Sequence, residues 1–260
     1  MRKIAIVSQK GGVGKTTTTL SLGAGLSRIG KKCLVVDLDP QGNIATSVLD
    51  ENEKGIFEFL IYDAPFENCI THMGANLDLM TSSGNLQKAE VLLLSKKQKP
   101  SLIDKLSKID GFDYLLLDLA PSFSELNKQA IRFCDEVIIP VSTDYLGYDA
   151  LLKTIKTVEE INEEFDLNIK ISKIVPTMYD QRLKISKDTL SLIEANYYTV
   201  TSNPIRVDSK LKEAPKAKKS IFSYAPSSKG AHDYNELVKR VMQDESQISK
   251  KLVQKLAQVN

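Results

Sequence analysis

The chain has 260 residues, 42% of them hydrophobic and 26% charged, values ordinary for a globular domain that buries one full core. Its formal net charge of +2 gives no overall argument for a nucleic-acid partner, so any basic surface must be local. The three cysteines, Cys33, Cys69 and Cys134, lack C-x-x-C spacing, which argues against a disulfide framework or a metal cluster and favours a reducing compartment. We expect no signal peptide, because Met1 leads almost directly into the first predicted strand. We also expect no membrane span, because no apolar run approaches the roughly 20 residues that a span needs.

The first predicted strand, residues 4–7, leads into a glycine-rich loop and then into a helical pattern that continues to Ile29. Strand, loop and helix in this order are the context of a nucleotide-binding P-loop, whose backbone N–H groups converge on phosphate oxygens. We predict that Lys15 reaches the β- and γ-phosphates of a nucleotide and that the Thr16 hydroxyl ligates Mg²⁺. The predicted nucleotide-binding residues of the loop are Gly11, Gly12, Val13, Gly14, Lys15, Thr16 and Thr17.

This loop departs from the ordinary pattern G-x-x-x-x-G-K-[ST]. The first glycine of that pattern would fall at Gln9, and Gly11 stands at a variable position. Lys10 lies five residues before Lys15, so the loop carries one lysine more than a P-loop needs. Taken alone, Lys10 would be interpreted as a solvated loop lysine.

Apolar runs and helical patterns alternate along the chain, which predicts an α/β fold of three layers. We expect a mainly parallel sheet of about seven or eight strands with helices on both faces. The predicted strands after the first are 33–38, 77–80, 114–118, 136–141, 169–175 and 201–205. The predicted helices are 15–29, about a dozen residues from 86, 124–133, 147–165, 185–196 and one from about 231, with a helical excursion at 50–75 and a loop with a helical turn at 209–228. Residues 1–245 are predicted to form a single domain, and 246–260 a helical or frayed tail.

Three aspartates follow buried apolar runs. Asp37 and Asp39 end the strand 33–38, and Asp118 ends the strand 114–118. The carboxyl ends of parallel strands form the edge where open α/β sheets bind ligands. A buried carboxylate is costly unless it is paired, and Mg²⁺ would supply that pairing. The sequence therefore predicts a magnesium-nucleotide site at this edge.

The extra lysine and the run Asp37-Leu38-Asp39-Pro40-Gln41-Gly42-Asn43 resemble the ParA branch of the ParA/MinD family of dimeric P-loop ATPases, and the similarity extends over most of the chain. The resemblance implies that Lys10 reaches the nucleotide of a partner subunit and that Asp39 orients or polarises the attacking water. It also implies that Asp118 holds Mg²⁺ through water and that Asp37 lies near the magnesium. For Asp37 the alternative, a carboxylate that helps to cap the P-loop, remains open.

Two further segments match the family incompletely. The sequence Asp118-Leu119-Ala120-Pro121 has Ala120 where the family commonly has proline, and we expect this change to alter the stiffness of the loop without loss of binding. The segment 141–145 resembles the family's segment near the dimer interface, but a strand-end cap for the next helix is an equal alternative.

The segment 176–182 resembles the family motif P-T-M-[YF]-D-x-R, which implies adenine recognition by Pro176 and Thr177 with Asp208 on the opposite wall. Residues 205–210 lack the proline of the family's I-P-R-N-V-R. Arg182 and Lys210 match positions where relatives carry DNA-binding arginines. The segment 182–219 holds nine basic and four acidic residues, and a solvated charged face is its alternative interpretation.

The resemblance implies a cytoplasmic, nucleoid-associated ATPase that uses ATP and Mg²⁺, forms a homodimer on ATP and binds DNA nonspecifically. It would drive segregation of a plasmid or chromosome, with a ParB-like centromere-binding protein as stimulating partner. One alternative is a MinD-like membrane-associated ATPase, because residues 248–256 have apolar positions among lysines, although large aromatic anchors are absent. The second alternative is a metabolic P-loop enzyme such as a synthetase.

Overall fold

A seven-stranded sheet is the middle layer of the computed structural model, which describes residues 1–49, 54–95, 101–122 and 124–257. Its strands are β1 (Arg2–Ile6), β2 (Cys33–Leu38), β3 (Thr71–His72), β4 (Leu77–Met80), β5 (Tyr114–Leu119), β6 (Glu136–Ser142) and β7 (Lys170–Thr177). They lie in the order β3-β4-β2-β5-β1-β6-β7, and every neighbouring pair is parallel except β3–β4. The predicted three-layer α/β fold is confirmed.

Helices cover both faces of this sheet. They are α1 (Lys15–Arg28), α2 (Asn43–Val48), α3 (Ile56–Ile61), α4 (Leu86–Ser95), α5 (Leu102–Leu106), α6 (Glu125–Phe133), α7 (Tyr145–Phe165), α8 (Lys184–Tyr197), α9 (Ser209–Glu213), α10 (Ile221–Tyr224) and α11 (Lys229–Ala257). Alternate residues of β1 serve the two faces: Ile4 and Ile6 pack with α1, α10 and α11, whereas Ala5 and Val7 belong to the core beneath α3 to α8. The buried strands are apolar on both faces, as a sheet covered on two sides requires.

The helices α1 and α11 pack closely because α1 has glycine at the crossing. A Cβ atom on Gly25 would overlap a methyl group of Val238 and would lie 3.3 Å from the ring of Phe222. A hydrogen bond of 3.1 Å between the buried hydroxyls of Thr18 and Tyr234 joins the same two helices. The P-loop helix is thereby fixed against the C-terminal helix.

One predicted strand is wrong. The segment 201–205 makes only isolated bridges, Ile174 with Thr201 and Tyr179 with Arg206. The residues between the bridges include Pro204, which has no N–H to donate to a ladder. The segment therefore follows the edge of β7 without becoming an eighth strand.

Short elements were also missed. The excursion at 50–75 contains α3, a 3₁₀ turn (Phe66–Asn68) and the antiparallel edge strand β3, while residues 50–53 lie outside the described part. The helix α5 was not predicted, since five residues are too few for a helical period to be recognised. The backbone of α11 continues helically to Ala257, and 258–260 lie outside the described residues, so the division at 245 stays a prediction. Within the described ranges, no helix combines the length and apolar character needed to cross a bilayer.

Replacing Gly25 with Val should weaken the fold, because the new side chain needs the space that Val238 and Phe222 occupy. We expect the free energy of unfolding to fall by about 2 kcal/mol. Urea titration followed by circular dichroism measures this change. Gly84→Ala is the control, since a Cβ there meets nothing within 4 Å. Equal unfolding midpoints for both variants would contradict the assignment of a close helix contact.

Candidate active site

The P-loop joins β1 to α1 through glycines in the left-handed region. Gly12 has φ of 73° and Gly14 has φ of 87°, conformations that side chains with a Cβ rarely adopt. Gly14 is the N-cap of α1, so the positive end of the helix dipole faces the loop. The Thr177 hydroxyl donates a hydrogen bond of 2.8 Å to the carbonyl oxygen of Val13. The end of β7 thus holds the loop that the sequence predicted to bind phosphate.

Lys15 is buried, with only 7% of its surface exposed. Its Nζ donates to the Lys10 carbonyl oxygen at 3.3 Å, within the loop itself. Burial lowers the pKa of Lys15, while the nearby carboxylates of Asp118 and Asp39 act in the opposite direction. An ammonium in this position is short of partners and is suited to an anionic ligand such as a phosphate chain.

Asp118 lies at the end of β5 and accepts hydrogen bonds from two hydroxyls of α1. Thr16 Oγ1 is 2.7 Å from Oδ2 of Asp118, and Thr19 Oγ1 is 3.0 Å from Oδ1. Burial raises the pKa of Asp118 to about 6, although these hydrogen bonds act in the opposite direction. Thr16 and Asp118, two of the three residues predicted to lie at the magnesium, are therefore hydrogen-bonded to each other.

Asp37 is the register neighbour of Asp118, since β2 and β5 pair side by side. Its carboxylate accepts from the backbone N–H of Asp39 at 2.9 Å and of Ile44 at 3.2 Å. Burial, followed by the charge of Asp118, raises the pKa of Asp37 well above its usual range. The alternative that Asp37 caps the P-loop is wrong, because the two backbone donors belong to the segment that follows its own strand.

This donor set fits a magnesium ion bound together with a phosphate chain. Two adjacent buried carboxylates have raised pKa values even though the Lys15 ammonium lies near Asp118, and a hydroxyl lies beside one of them. Among the residues that the structure describes, no three His, Cys, Asp or Glu side chains form a ready-made metal cluster. Mg²⁺ suits such a site, since it is usually held by one or two carboxylates and by oxygens of the substrate phosphates.

Asp39 lies on the wall of a cavity of about 780 Å³ that the P-loop also lines. Its Oδ1 accepts from the Gln41 backbone N–H at 2.9 Å, which fixes the start of the loop that leads to α2. Lys15 and Pro121 line the same cavity. The charge of Asp39 also acts on Lys15, so the two residues lie near each other, and the predicted role of Asp39 in orienting a water molecule stays a prediction.

Lys10 is not a freely solvated side chain. Its Nζ donates to both carboxylate oxygens of Asp144, at 2.7 and 2.9 Å, and to Ser142 Oγ at 3.0 Å. Asp144 also accepts from the Gly147 backbone N–H at 2.8 Å and so caps α7. Burial raises the pKa of Asp144, but the hydrogen bonds from Lys10 and Ser142 outweigh it and lower the pKa. The predicted helix cap is confirmed, and its role at a dimer interface stays a prediction.

The predicted base-binding residues are not among the described residues that line this cavity. Within the described residues, the wall on this side includes Met178 and Leu211, but none of Pro176, Thr177 and Asp208. Met178 has φ of 53°, a left-handed conformation that is uncommon for a side chain of its size. Met178 lies inside the motif at 176–182 but was not among the predicted site residues. No sequence pattern pointed to Leu211.

Asp208 has a structural role that the sequence did not indicate. Its carboxylate accepts from the backbone N–H groups of Lys210 at 2.9 Å and of Gly230 at 2.8 Å. It therefore caps α9 and secures the first turn of α11. The predicted contact of Asp208 with the nucleotide stays a prediction, and the carboxylate itself already has these two donors.

The loop after β5 is fixed by Asn127, which was not among the predicted site residues. The buried side-chain amide of Asn127 donates to the Ala120 carbonyl oxygen at 3.1 Å and also to that of Ser122. These bonds hold Pro121 at the cavity from both sides. Hydrogen bonds from α6 therefore restrain the segment that contains Ala120.

The predicted DNA-contacting side chains lie on the surface in local ion pairs. Arg182, whose side chain is 83% exposed, bonds to Asp180 at 2.6 and 2.9 Å, and Lys210 bonds to Glu213 at 2.7 Å. These hydrogen bonds lower the pKa of Asp180 to about 2 and that of Glu213 to about 2. Exposed ion pairs contribute little net stability, so both cations remain able to exchange their carboxylate for a phosphate.

The fold and the site together define a P-loop nucleoside triphosphatase. A family model described as an AAA domain matches residues 1–172. The chain is 34% identical over 247 residues to the chromosome-partitioning ATPase Soj of Thermus thermophilus, covering 93% of this chain and 96% of that protein. The fold also matches the crystal structure of cobyrinic acid a,c-diamide synthase from Mycobacterium smegmatis with bound ATP analogue and magnesium, with a TM-score of 0.78. The two sequences are 27% identical, and the match covers 95% of this chain and 96% of the synthase chain.

The fold is also similar to that of the septum site-determining protein MinD of Pyrococcus horikoshii, complexed with Mg-ADP, with a TM-score of 0.72. The two sequences are 22% identical, and the match covers 92% of this chain and 95% of the MinD chain. At that identity the likeness shows a shared fold alone. The identity to Soj over nearly the whole length of both chains goes further. The chain belongs to the ParA/Soj-type family of partition ATPases.

Asp118 makes the stability of the nucleotide-free protein depend on pH. Its pKa of about 6 in the fold exceeds the ordinary aspartate pKa of 3.8, so protonation stabilises the fold. That contribution is complete below the unfolded pKa and is lost as the pH rises through about 6. Asp118→Asn should therefore be more stable than the parent at pH 7.5, with a difference that shrinks toward pH 4.5.

Urea midpoints of both proteins across this pH range, in metal-free buffer, measure the effect. Asp110→Asn, an exposed carboxylate before β5, is the control and should follow the parent at every pH. A parent that is the more stable protein at pH 7.5 would contradict the interpretation.

Proposed function

We propose that the protein is a partition ATPase that dimerises on ATP, binds DNA nonspecifically as the dimer and releases it after hydrolysis. Its cofactors are ATP and Mg²⁺, and its process is segregation of a plasmid or chromosome with a ParB-like partner. The observation that carries the proposal is the position of Lys10. A second lysine adjoins the phosphate loop, and its ammonium is held by Asp144 and Ser142.

The chain's own residues divide the work of hydrolysis. Lys15 and the backbone amides of the P-loop bind the phosphates. Thr16 and Asp118 hold Mg²⁺, which neutralises phosphate charge when bound. Asp39 orients the attacking water, and Asp37 fixes the segment that carries Asp39 by accepting its backbone N–H. Phosphoryl transfer needs such positioning and charge neutralisation and no covalent intermediate.

Lys10 supplies the link between hydrolysis and dimerisation. In the single chain its ammonium has three oxygen partners, two of them on one carboxylate, and its side chain is 28% exposed. A triphosphate on a facing subunit offers more negative charge than Asp144 does. The ammonium would therefore exchange Asp144 for that phosphate, in the manner of an arginine finger supplied by a neighbour.

DNA binding follows from doubling weak contacts. Arg182 and Lys210 provide a few phosphate contacts per subunit, which give weak and salt-sensitive binding. A dimer links two such surfaces, and linked weak sites gain far more than twofold in affinity. Nucleotide-dependent dimerisation would thereby switch the protein onto the nucleoid within the cytoplasm.

The MinD-like alternative depends on the lysine-rich pattern of the C-terminal segment, and the metabolic alternative on the shared P-loop fold. The identity to a chromosome-partitioning Soj over nearly the whole chain supports the partition function over both. Sedimentation with plasmid DNA and with anionic vesicles, each with and without ATP, separates the three. Pelleting with vesicles but not with DNA would favour the membrane alternative.

Asp39→Ala should abolish turnover, by at least about 100-fold, and leave dimers that persist with ATP, because the water loses its orienting group. Adding Lys10→Ala to Asp39→Ala should return the protein to a monomer in the presence of ATP. Phosphate release and size-exclusion chromatography with light scattering measure the two effects. Asp110→Ala is the control and should leave both unchanged. Normal stimulated hydrolysis by Asp39→Ala would refute the assignment.

Arg182→Glu should reduce DNA affinity by at least about 10-fold while ATP-dependent dimerisation is retained, because a phosphate contact becomes a repulsion in each subunit. Fluorescence anisotropy with a labelled duplex at fixed salt measures the affinity. Lys108→Glu makes the same charge change on an exposed residue at the opposite edge of the sheet and should leave DNA affinity within about twofold. An unchanged affinity for Arg182→Glu would reject this surface.

A further inference from the structure

One lysine of the basic segment is bonded to the catalytic side of the molecule. Lys218 lies between a 3₁₀ turn (Pro215–Ala217) and α10, and its Nζ donates to the carbonyl oxygens of Thr46 at 2.7 Å and of Leu49. Both acceptors lie at the C-terminal end of α2, where helix carbonyls lack partners within the helix and a cation is favourable. The side chain therefore bridges α2 and the segment 209–219.

The other end of α2 is bonded to the magnesium site. The backbone N–H of Ile44, in the first turn of α2, donates to Asp37, and Asp37 also receives the N–H of Asp39. The helix has only six residues, so its two ends lie about 9 Å apart along its axis. Asp37 and Lys218 thus hold opposite ends of one short rigid element.

We propose that Lys218 is a positioning residue that couples the catalytic segment 37–49 to the basic segment 209–219. A change at Asp37 or Asp39 on nucleotide binding moves α2, and Lys218 transmits that movement to the segment that carries Lys210. Coupling between two sites is reciprocal, so DNA on the basic segment stabilises the nucleotide-bound arrangement of α2 in turn. This inference rests on the proposed function, because it assumes that the basic segment contacts DNA.

The neighbouring lysines make it possible to distinguish a coupling role of Lys218 from a simple contribution of its charge to DNA binding. Lys216 and Lys219 are exposed, and the side chain of neither forms a hydrogen bond or ion pair with any residue that the structure describes. Lys218 is partly buried, and two carbonyl oxygens already occupy its ammonium. Loss of Lys219 removes a charge from the surface, whereas loss of Lys218 removes the same charge and the bridge to α2.

The backbone allows a clean variant. Lys218 has φ of 52° and ψ of 39°, the left-handed region in which glycine is unstrained. Lys218→Gly therefore removes the ammonium without straining the turn. Lys219→Ala is the matched control for charge, and Lys218→Arg is the conservative variant that retains a cation able to reach the carbonyls.

The first test measures the affinity of the full chain for a labelled random duplex, once with a non-hydrolysable ATP analogue and once with ADP, both with Mg²⁺. Lys219→Ala should weaken binding by a similar factor in both states, so the ratio of the two Kd values stays that of the parent. Lys218→Gly should reduce this ratio at least about 5-fold, the lower range of an allosteric coupling. Lys218→Arg should restore most of it. A ratio for Lys218→Gly equal to that of Lys219→Ala would overturn the inference.

The second test needs no DNA. Hydrogen exchange of backbone amides in 209–219 should slow in the parent when the ATP analogue is added, and this protection should be lost in Lys218→Gly but kept in Lys219→Ala. If the parent binds DNA in neither nucleotide state, the proposed function fails, yet the exchange result still decides the coupling. Equal protection in parent and Lys218→Gly would overturn the coupling while leaving the partition function standing.

Discussion

Two adjacent buried carboxylates, Asp37 and Asp118, are the constraint around which the site is built, and the charge of Lys15 acts on Asp118. They lie side by side at the ends of β2 and β5, both buried, and burial raises the pKa of each. The fold compensates the charge only in part, with two hydroxyls on Asp118 and two backbone N–H groups on Asp37. Because a buried charge is costly unless it is paired, a cation bound beside these carboxylates would stabilise the folded state. Nucleotide binding and the stability of this edge are therefore linked.

A second feature is that three cations proposed to bind phosphate are paired with carboxylates of the same chain. Lys10 is paired with Asp144, Arg182 with Asp180, and Lys210 with Glu213. Each pair is partly or largely exposed, so its net stability is small and the exchange for a phosphate is inexpensive in free energy. Each of these three cations therefore has a carboxylate partner in the single chain, and we expect a phosphate to compete with that carboxylate.

Three short polar side chains connect the site to the rest of the molecule by hydrogen bonds to the backbone. Thr177 holds the P-loop, Asn127 holds the loop that carries Pro121, and Asp208 holds the first turns of α9 and α11. None of the three could be assigned this role from the sequence, because each contact joins elements that are distant along the chain. In contrast, the P-loop and the carboxylates after β2 and β5 were predictable, since strand, loop and helix follow one another locally.

The sequence by itself determined the three-layer fold, the phosphate loop and the position of Asp37, Asp39 and Asp118 at one sheet edge. These follow from local patterns: apolar runs, glycine spacing and the rule that parallel strands end together. Only the tertiary structure decided which atoms Asp37 accepts, which carboxylate holds Lys10 and that Lys218 bridges to α2. It also showed that the 201–205 segment stays outside the sheet. Such outcomes depend on through-space distances between segments far apart in sequence, which no local pattern encodes.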